Sequence, residues 1–595
     1  MANDRWSNER EISRVLHNAD KACGPVLQYK HGVNRVYNGD GHTLFLGVTG
    51  SGKTWNGTLP LARTCIERDE NLIVLDSKGD IYKQTSYLAE RKGYRVIVFN
   101  FRDLLSSDHI NPIQIIRDLL VSDDIKKVNL GCNMMKDLVY GLYPLNGSEQ
   151  DFWQTCARNI FMGSLYALSE CAPRTEANFE SIHQLIIEGQ ERYRAGSYIK
   201  EFVRMLPESS NARKKLMDYI TTANDTAAGM RSSFSTGMSF YMDSPLLLDV
   251  ISSNDGITLD ELDGENKTAI YIVLPDETSI FDNISAVIIN MLITHFITIA
   301  HDKYGDQGEK LPRRMNIILE ELGNIAYAIN DLDHSMSACR SRNIRLHLVL
   351  QSLTQLDNAF GTSKAKTIIE NAGVTMAFRV NNMDSLNELS RRCGERDISR
   401  NGYTSREPLV KSTELMSLKR GQALVIIEGG TKFITELPGY DKMFDNSKWE
   451  APKKKQHSKR AKIEYFNIKS YIENPKSYPA DEKSNTADFN PLLNSVNFSG
   501  KIIPISEYVE KLDKRIAELE KEEQQERLSQ KNKLILKRLG DDRMKTIALI
   551  KKYEHCSIKE AFEYAEKLPF VIAFKTIEDE MQARKDFEEA GADIE

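Results

Sequence analysis

The most constraining feature of the chain is the octapeptide Gly47-Val48-Thr49-Gly50-Ser51-Gly52-Lys53-Thr54, which fits GxxxxGK[ST]. An apolar run, TLFLGV, leads into it and an amphipathic stretch, GKTWNGTLPLARTCIER, follows. Glycines in a strand-to-helix turn let successive backbone N–H groups curl round a phosphate, and the helix N-terminus adds positive potential. In such a loop Lys53 neutralises the β/γ oxygens of a nucleotide and Thr54 ligates Mg2+. The bland alternative is a glycine-rich turn carrying a surface lysine, which would not need a strand before it and a helix after it. The motif therefore predicts ATP and Mg2+ as cofactors, with Gly47 to Thr54 as the phosphate loop.

The flanking sequence says what kind of sheet holds this loop. Between Thr43 and about Phe101 the apolar runs TLFLGV, NLIVLD and YRVIVFN alternate with amphipathic stretches. Strands alternating with helices imply an α/β fold with a parallel sheet covered on both faces. From Pro112 to Asp260 the alternation stops, and KKVNLGCNMMKDLVYGLY, FWQTCARNIFMGSLYALSE and KEFVRMLPESSNARKKLMDYITT read with helical period. It resumes at TAIYIVLP and continues through MNIILEE, IRLHLVLQ and VTMAFRV to GQALVIIEGG and TKFITELP. Residues 1–112 and 262–445 are thus expected to form one nucleotide-binding domain, interrupted by an all-α insertion over 113–261.

Hydrolysis needs a carboxylate near Mg2+ and a second group that polarises the attacking water. Two strand ends compete. Asp76 closes NLIVLD and is followed by Ser77 and Lys78, whereas MNIILEE supplies two acids, Glu320 and Glu321, in adjacent positions. We favour Glu320 and Glu321 as the pair that serves metal and water, and read Asp76 as a helix-capping or solvated carboxylate. Gln351 closes IRLHLVLQ at the end of a strand where open α/β sheets bind ligands, so it is a candidate sensor of the γ-phosphate. An exposed or capping glutamine is the alternative.

With 595 residues, about four domains fit the length. Lys and Arg number 79 against 85 Asp and Glu, a net charge of -6, so any contact with nucleic acid must be local. The eight cysteines (Cys23, Cys65, Cys132, Cys156, Cys171, Cys339, Cys393, Cys556) include no CxxC pair and no neighbouring Cys/His cluster of zinc-site spacing. Reduced thiols in a cytoplasmic protein are expected. The N-terminus is charged throughout, and no run of about 20 apolar residues suggests a membrane span.

Past Tyr440 a basic run, PKKKQHSKRAK, leads into a polar stretch, and Tyr508 to Leu539 is highly charged with Val509, Leu512, Ile516 and Leu519 at helical spacing. Residues 446–540 are expected to be linker and charged helix. From Met544 the runs TIALIKKY, SIKEAFEYAEKLP and FVIAFK, then a helix DEMQARKDFEEAG, suggest a small α+β domain over 541–595.

With these elements in order, residues 24–445 resemble the TraG-type coupling proteins of type IV secretion and conjugation. The resemblance rests on HTLFLGVTGSGKT, VLDSKGDIYKQT, FRDLLSSDHINPI, IILEELGNIA, LHLVLQSLTQL and EPLVKSTELMSLKRGQALVIIEGG. It implies a RecA-like P-loop ATPase related to FtsK and HerA, working as a homo-hexameric ring, with an all-α domain associated with substrate selection. Carried over, Lys53 and Thr54 hold phosphate and metal, Glu321 is the base, Gln351 is the sensor, and Arg340 matches the family's trans-acting arginine. Arg342 and Arg345 compete with it, and a structural ion pair is the alternative for each. Two departures stand out. Glu320 replaces the usual Asp, which shifts the carboxylate by about 1.5 Å, one C–C bond. The transmembrane helices with which typical members begin have no counterpart here, so docking at a channel would need a membrane-anchored partner holding the protein peripherally at the inner face of the membrane. The last stretch, from Met544, separately resembles the C-terminal domain of the bacterial ribosomal stalk protein and implies a docking module.

The resemblance implies an ATP-driven coupling protein that recruits a DNA–relaxase or other secreted substrate and moves DNA to a conjugation channel. A HerA- or FtsK-like DNA motor without a secretion partner, and a nucleotide-gated adaptor with little hydrolysis, are the alternatives.

Overall fold

The computed structural model describes residues 4–145, 151–329, 331–400, 403–452, 463–474, 495–498, 501–504, 533–540, 542–554, 558–574 and 577–594. Chain contacts divide it into two units, residues 1–486 and 487–595.

The first unit is built on nine strands: β1 Thr43–Leu46, β2 Asn71–Asp76, β3 Arg95–Asn100, β4 Thr268–Val273, β5 Met315–Leu319, β6 Ile344–Leu350, β7 Val374–Ala377, β8 Gln422–Ile427 and β9 Thr431–Glu436. Their order is β9-β8-β7-β1-β6-β5-β2-β4-β3. β7 through β3 pair in parallel, and β8 and β9 add an antiparallel ribbon. Every residue of β1, β2, β5 and β6 is buried, the reason these strands read as unbroken apolar runs. β9, at the edge, instead alternates buried and exposed positions after its first two residues.

Side chains alternate between two cores, as the strand period requires. Phe45, Leu72, Val74 and Ile318 point to one face, where they meet helices Leu59–Glu67 and Asp80–Arg91 and an N-terminal antiparallel sheet of Leu16–Asn18, Val26–Lys30 and Val33–Tyr37. Leu44, Leu46, Ile73, Leu75, Ile317 and Leu319 point to the other. There they join helix Asp282–Asp302 and the insertion, whose Phe161, Phe179, Phe202 and Phe234 belong to the same continuous core. Asp282–Asp302 is long and apolar enough to cross a membrane, with 72% of its most apolar window buried inside this fold. Packing in the core explains its composition.

Among the described residues between Pro112 and Ser252 the insertion holds eight α-helices, and a two-residue ribbon, Arg192–Tyr193 with Gly196–Ser197, interrupts the helical character. Asn111-Pro112 opens it. The Asn111 side chain accepts from the Gln114 amide at 3.1 Å and donates to the Ala177 carbonyl at 2.9 Å, while proline occupies the first helical turn, where its missing N–H costs nothing.

The stretch expected to be linker behaves differently. Residues 463–474 belong to the first unit: Phe466, Ile468 and Ile472 are buried in the insertion's core, and helix Ile468–Glu473 packs on Tyr198–Met205. Three apolar side chains at positions 466, 468 and 472 offset the cost of ordering this short segment, which a composition rich in Lys, Asn and Ser conceals. The basic run and most of the charged helix, residues 453–462 and 505–532, lie outside the described residues. Lys533–Arg538, expected at that helix's end, is a strand instead.

That strand is central in the sheet of the second unit, flanked antiparallel by Phe570–Ala573 and Asp593–Ile594. Helices Arg543–Glu554, Ile558–Glu566 and Ile577–Glu589 complete a β–α–α–β–α–β order around Leu534, Leu536, Ile547, Ile550, Ile572 and Phe587. The small α+β fold therefore begins near residue 533, before the expected 541, and the apolar run TIALIKKY within it is helical. A hairpin, Ser495–Phe498 with Lys501–Pro504, precedes it.

Candidate nucleotide site

The loop from Gly47 to Gly52 leaves the C-terminal end of β1 and is pinned on both sides. Gly47 N–H donates to the Leu350 carbonyl at the end of β6 (3.1 Å), and Val48 N–H donates to the Arg379 carbonyl just beyond β7 (2.9 Å). Gly52 has φ +102°, and a Cβ there would stand 2.6 Å from Asn56 Oδ1. Because Asn56 itself is held by the Leu437 and Pro438 carbonyls at 3.1 and 2.7 Å, only glycine fits. The helix begins at Lys53 with a widened π-type turn through Thr58 and continues as Leu59–Glu67.

Lys53 is buried, its Nζ donating to the carbonyls of Gly47 (2.5 Å) and Val48 (3.4 Å) and lying 4.0 Å from Glu321. Burial lowers its pKa, and the Glu321 and Glu320 carboxylates oppose that shift. Glu320 closes the strand β5 and is fully enclosed. Thr54 Oγ1 donates to its Oε2 at 3.2 Å, and Thr58 Oγ1 donates to its Oε1. Burial pushes the Glu320 carboxyl up to about 7; the Thr58 hydrogen bond pulls the other way, and the charges of Asp76 and Glu321 add to the rise.

Glu321 has left-handed backbone, φ +48° and ψ +40°, a conformation that costs of order 1 kcal/mol for a residue with a Cβ and recurs at functional sites. The turn separates two neighbouring acids: Glu320 faces the threonines and Glu321 faces Gln351, whose Nε2 donates to Glu321 Oε2 at 3.0 Å. Gln351 N–H in turn donates to Gln355 Oε1 at 2.7 Å. The Gln355 amide lies against Gly323, where an added Cβ would meet it at 2.2 Å. Strand ends β5 and β6 are thus locked together through Glu321, Gln351, Gln355 and Gly323.

The residues fit a nucleoside triphosphate and Mg2+. A glycine cradle surrounds the buried Ser51 hydroxyl, which has no hydrogen-bond partner among the described residues, and a lysine stands beside it. Thr54 and Glu320 offer adjacent hard oxygen donors, the type Mg2+ takes.

Asp76 stands near Glu320, but its oxygens are taken up by backbone amides. Its Oδ1 accepts from the Gly79 and Asp80 amides at 2.9 and 3.1 Å and its Oδ2 from Tyr82 at 2.8 Å, so it caps helix Asp80–Arg91. Burial raises its pKa to about 6 against these donors. Arg340 ends helix Leu332–Ser341, ahead of β6 and so at the sheet end opposite Gln351, and pairs with Glu428 at 3.2 Å. Arg342 pairs with Glu309 at 3.7 Å, and Arg345 is buried at the start of β6. None of the three reaches the phosphate loop of its own chain. Thr58 and Gln355 escaped sequence reasoning. The signal for Thr58 was its place one helical turn after Thr54, on the same face; for Gln355 it was an amide four residues after Gln351.

A family model described as type IV secretory system conjugative DNA transfer matches residues 5–464. Among curated proteins, the type IV secretion system-coupling protein VirD4 of Bartonella henselae is 20% identical over 397 residues, covering 65% of this chain and 58% of that protein. VirD4 of Bartonella quintana is 21% identical over 372 residues, 61% of this chain and 54% of its own. The chain thus spans little more than half the length of these relatives. Among solved structures, the bacterial conjugative coupling protein TrwBdeltaN70 superposes with a TM-score of 0.55 at 15% identity, covering 74% of this chain and 93% of that one. Plasmid coupling protein TrwB in complex with ADP and Mg2+ gives 0.54, also at 15% identity, over 77% of this chain and 95% of that one. At that identity the likeness fixes the fold, the RecA-like α/β sheet with its helical insertion, and no more. By the match over residues 5–464, the chain belongs to the type IV secretory system conjugative DNA transfer family.

Proposed function

We propose that the chain is an ATP-driven coupling protein that recruits a DNA–relaxase substrate and moves DNA towards a conjugative secretion channel. One observation carries the reading: Lys53, Thr54, Glu320, Glu321 and Gln351, drawn from three strand ends, converge within hydrogen-bond or ion-pair reach. Lys53 and the loop amides bind the β/γ phosphates, and Thr54 and Glu320 would hold Mg2+, which would supply charge neutralisation there. Glu321 orients the attacking water and takes its proton. Gln351 loses or keeps its bond to Glu321 according to what the carboxylate faces, and passes the difference to Ser352–Gln355 and the helix Thr354–Asn371 behind it.

In a homo-hexameric ring, positive charge local to the pore suits DNA despite the net charge of -6. Arg340, at the opposite sheet end from its own phosphate loop and 45% exposed, is free to exchange Glu428 for a neighbouring copy's phosphate. The exposed faces of the insertion select cargo, and a membrane-anchored secretion component supplies the tether. DNA-stimulated ATP hydrolysis tests the motor: its presence supports translocation, whereas tight ATP binding with no DNA-stimulated turnover favours an adaptor. Co-purification with a relaxase separates secretion from a DNA motor that has no secretion partner.

A further inference from the structure

A buried thiol pair lies at the far end of the sheet from the nucleotide site. Cys23 Sγ is 3.5 Å from Cys65 Sγ, across 42 positions of sequence, which is why no short-range cysteine spacing betrays it. Glu70 joins them, with one ligand atom of each residue within 4.8 Å of the others. Cys23 belongs to the N-terminal segment, Cys65 to the helix that runs back from the phosphate loop, and Glu70 to the turn leading into β2.

Two observations, of geometry and of access, point to a ligand rather than to packed thiols, and a third, of charge, permits one. The first is geometric. Two thiolates bound tetrahedrally at about 2.3 Å from one Zn2+ stand roughly 3.8 Å apart, close to the separation found, and a carboxylate oxygen is within the ion's ligand set. The second is access: Cys23 and Glu70, with Lys21, Arg68 and Arg314, line a cavity of about 660 Å³, giving a route in and room for a water as fourth ligand. The third is charge. Arg345 is 2% exposed, its hydrogen bonds go to neutral oxygens, the Cys23 carbonyl at 3.3 Å and Asn38 Oδ1 at 3.1 Å, and its Nε has no partner among the described residues. Two thiolates and the Glu70 carboxylate around a divalent cation carry one net negative charge, the same as Glu70 beside two neutral thiols, so the cation enters without adding repulsion for the buried guanidinium.

We propose that Cys23, Cys65 and Glu70 form a structural site for a thiophilic divalent cation of the Zn2+ class. Two thiol protons leave as the cation enters; both thiolates and the carboxylate donate electron pairs, and no electron is transferred. Burial holds the Cys23 thiol well above its ordinary range, and a divalent charge reverses that preference. The bound ion pins the N-terminal segment to the helix of the phosphate loop.

The test uses the full chain in a background lacking three other thiols, Cys132→Ser, Cys156→Ser and Cys556→Ser. Co2+ is titrated without nucleotide, and the thiolate-to-cobalt charge-transfer absorption is followed. One equivalent should bind, be displaced by Zn2+, and be lost in Cys23→Ser and in Cys65→Ser, while Glu70→Gln weakens binding about tenfold. Zn2+ should also raise the melting midpoint of the background protein and a chelator lower it, a readout that needs no site variant to fold. No charge-transfer band in the background protein, a band that survives Cys23→Ser, or a native mass lower by two hydrogens, marking a disulfide, would each overturn the proposal.

Discussion

Glu320 carries one methylene more than the aspartate usual at its position, and the structure gives that methylene a use: the carboxylate spans two hydroxyls, Thr54 and Thr58. The longer side chain is matched by a second partner one helical turn along. Thr58→Val should therefore keep ATP binding but lower turnover about tenfold, since the carboxylate loses both its brace and the hydrogen bond that opposes its protonation. Measured Kd and kcat decide it; unchanged kcat would show the Thr58 contact to be idle. Sequence reasoning found the phosphate loop and both acids because their chemistry depends on residue type at fixed spacing. It missed Thr58 and Gln355 because their roles depend on which strand ends lie side by side, and β5, β6 and the phosphate helix come from three distant stretches of chain. Gln355→Ala should loosen Gln351 and reduce kcat more than KM, with Gln355→Asn failing to rescue because the shorter amide does not reach the Gln351 N–H.

At the scale of the element, buried apolar runs were legible and caps and short packed segments were only partly so. Each parallel strand read as a continuous apolar stretch because both faces are covered. Asp76 had two readings, and the amides of Gly79, Asp80 and Tyr82 decide for the cap. Asp76→Ala should cost about 1–3 kcal/mol of stability, the range for an unsatisfied buried network, while leaving ATP hydrolysis near the parent rate. Thermal melting and turnover at a permissive temperature check the two halves. The tail gives a second prediction. Because Phe466, Ile468 and Ile472 fill the insertion's core, ending the chain after Asp445 should lower the melting midpoint by several degrees, whereas ending it after Asn474 should not. Equal midpoints for the two truncations would mean that the 463–474 segment adds nothing to stability.

Across the whole molecule, the insertion and the sheet share one core, so the helical segment is no detachable module: excising 113–261 would uncover the face of helix Asp282–Asp302 that packs on helix Ile125–Leu142. The sequence alternation located where the sheet stops and resumes but carried no information on whether the intervening helices pack upon it, because helical period reveals an apolar face and not its partner. Cargo selection by the insertion is better tested by protection: a bound relaxase should slow amide exchange on the exposed faces of residues 113–261 and leave β1 to β9 unchanged. The second unit, with its own small core, should be dispensable for the motor, so a chain ending after Asn474 should bind ATP and hydrolyse it at the basal rate yet recover less partner. In the proposed DNA-responsive motor, Glu320 and Glu321, and not Asp76, complete the hydrolytic site. Steady-state ATP hydrolysis with and without DNA, in the parent, Glu321→Gln and Asp76→Asn proteins, separates the two assignments. DNA should stimulate turnover in the parent and in Asp76→Asn, and Glu321→Gln should lose about a hundredfold or more with ATP binding kept. Parent-like hydrolysis in Glu321→Gln together with a dead Asp76→Asn would contradict the assignment to Glu320 and Glu321.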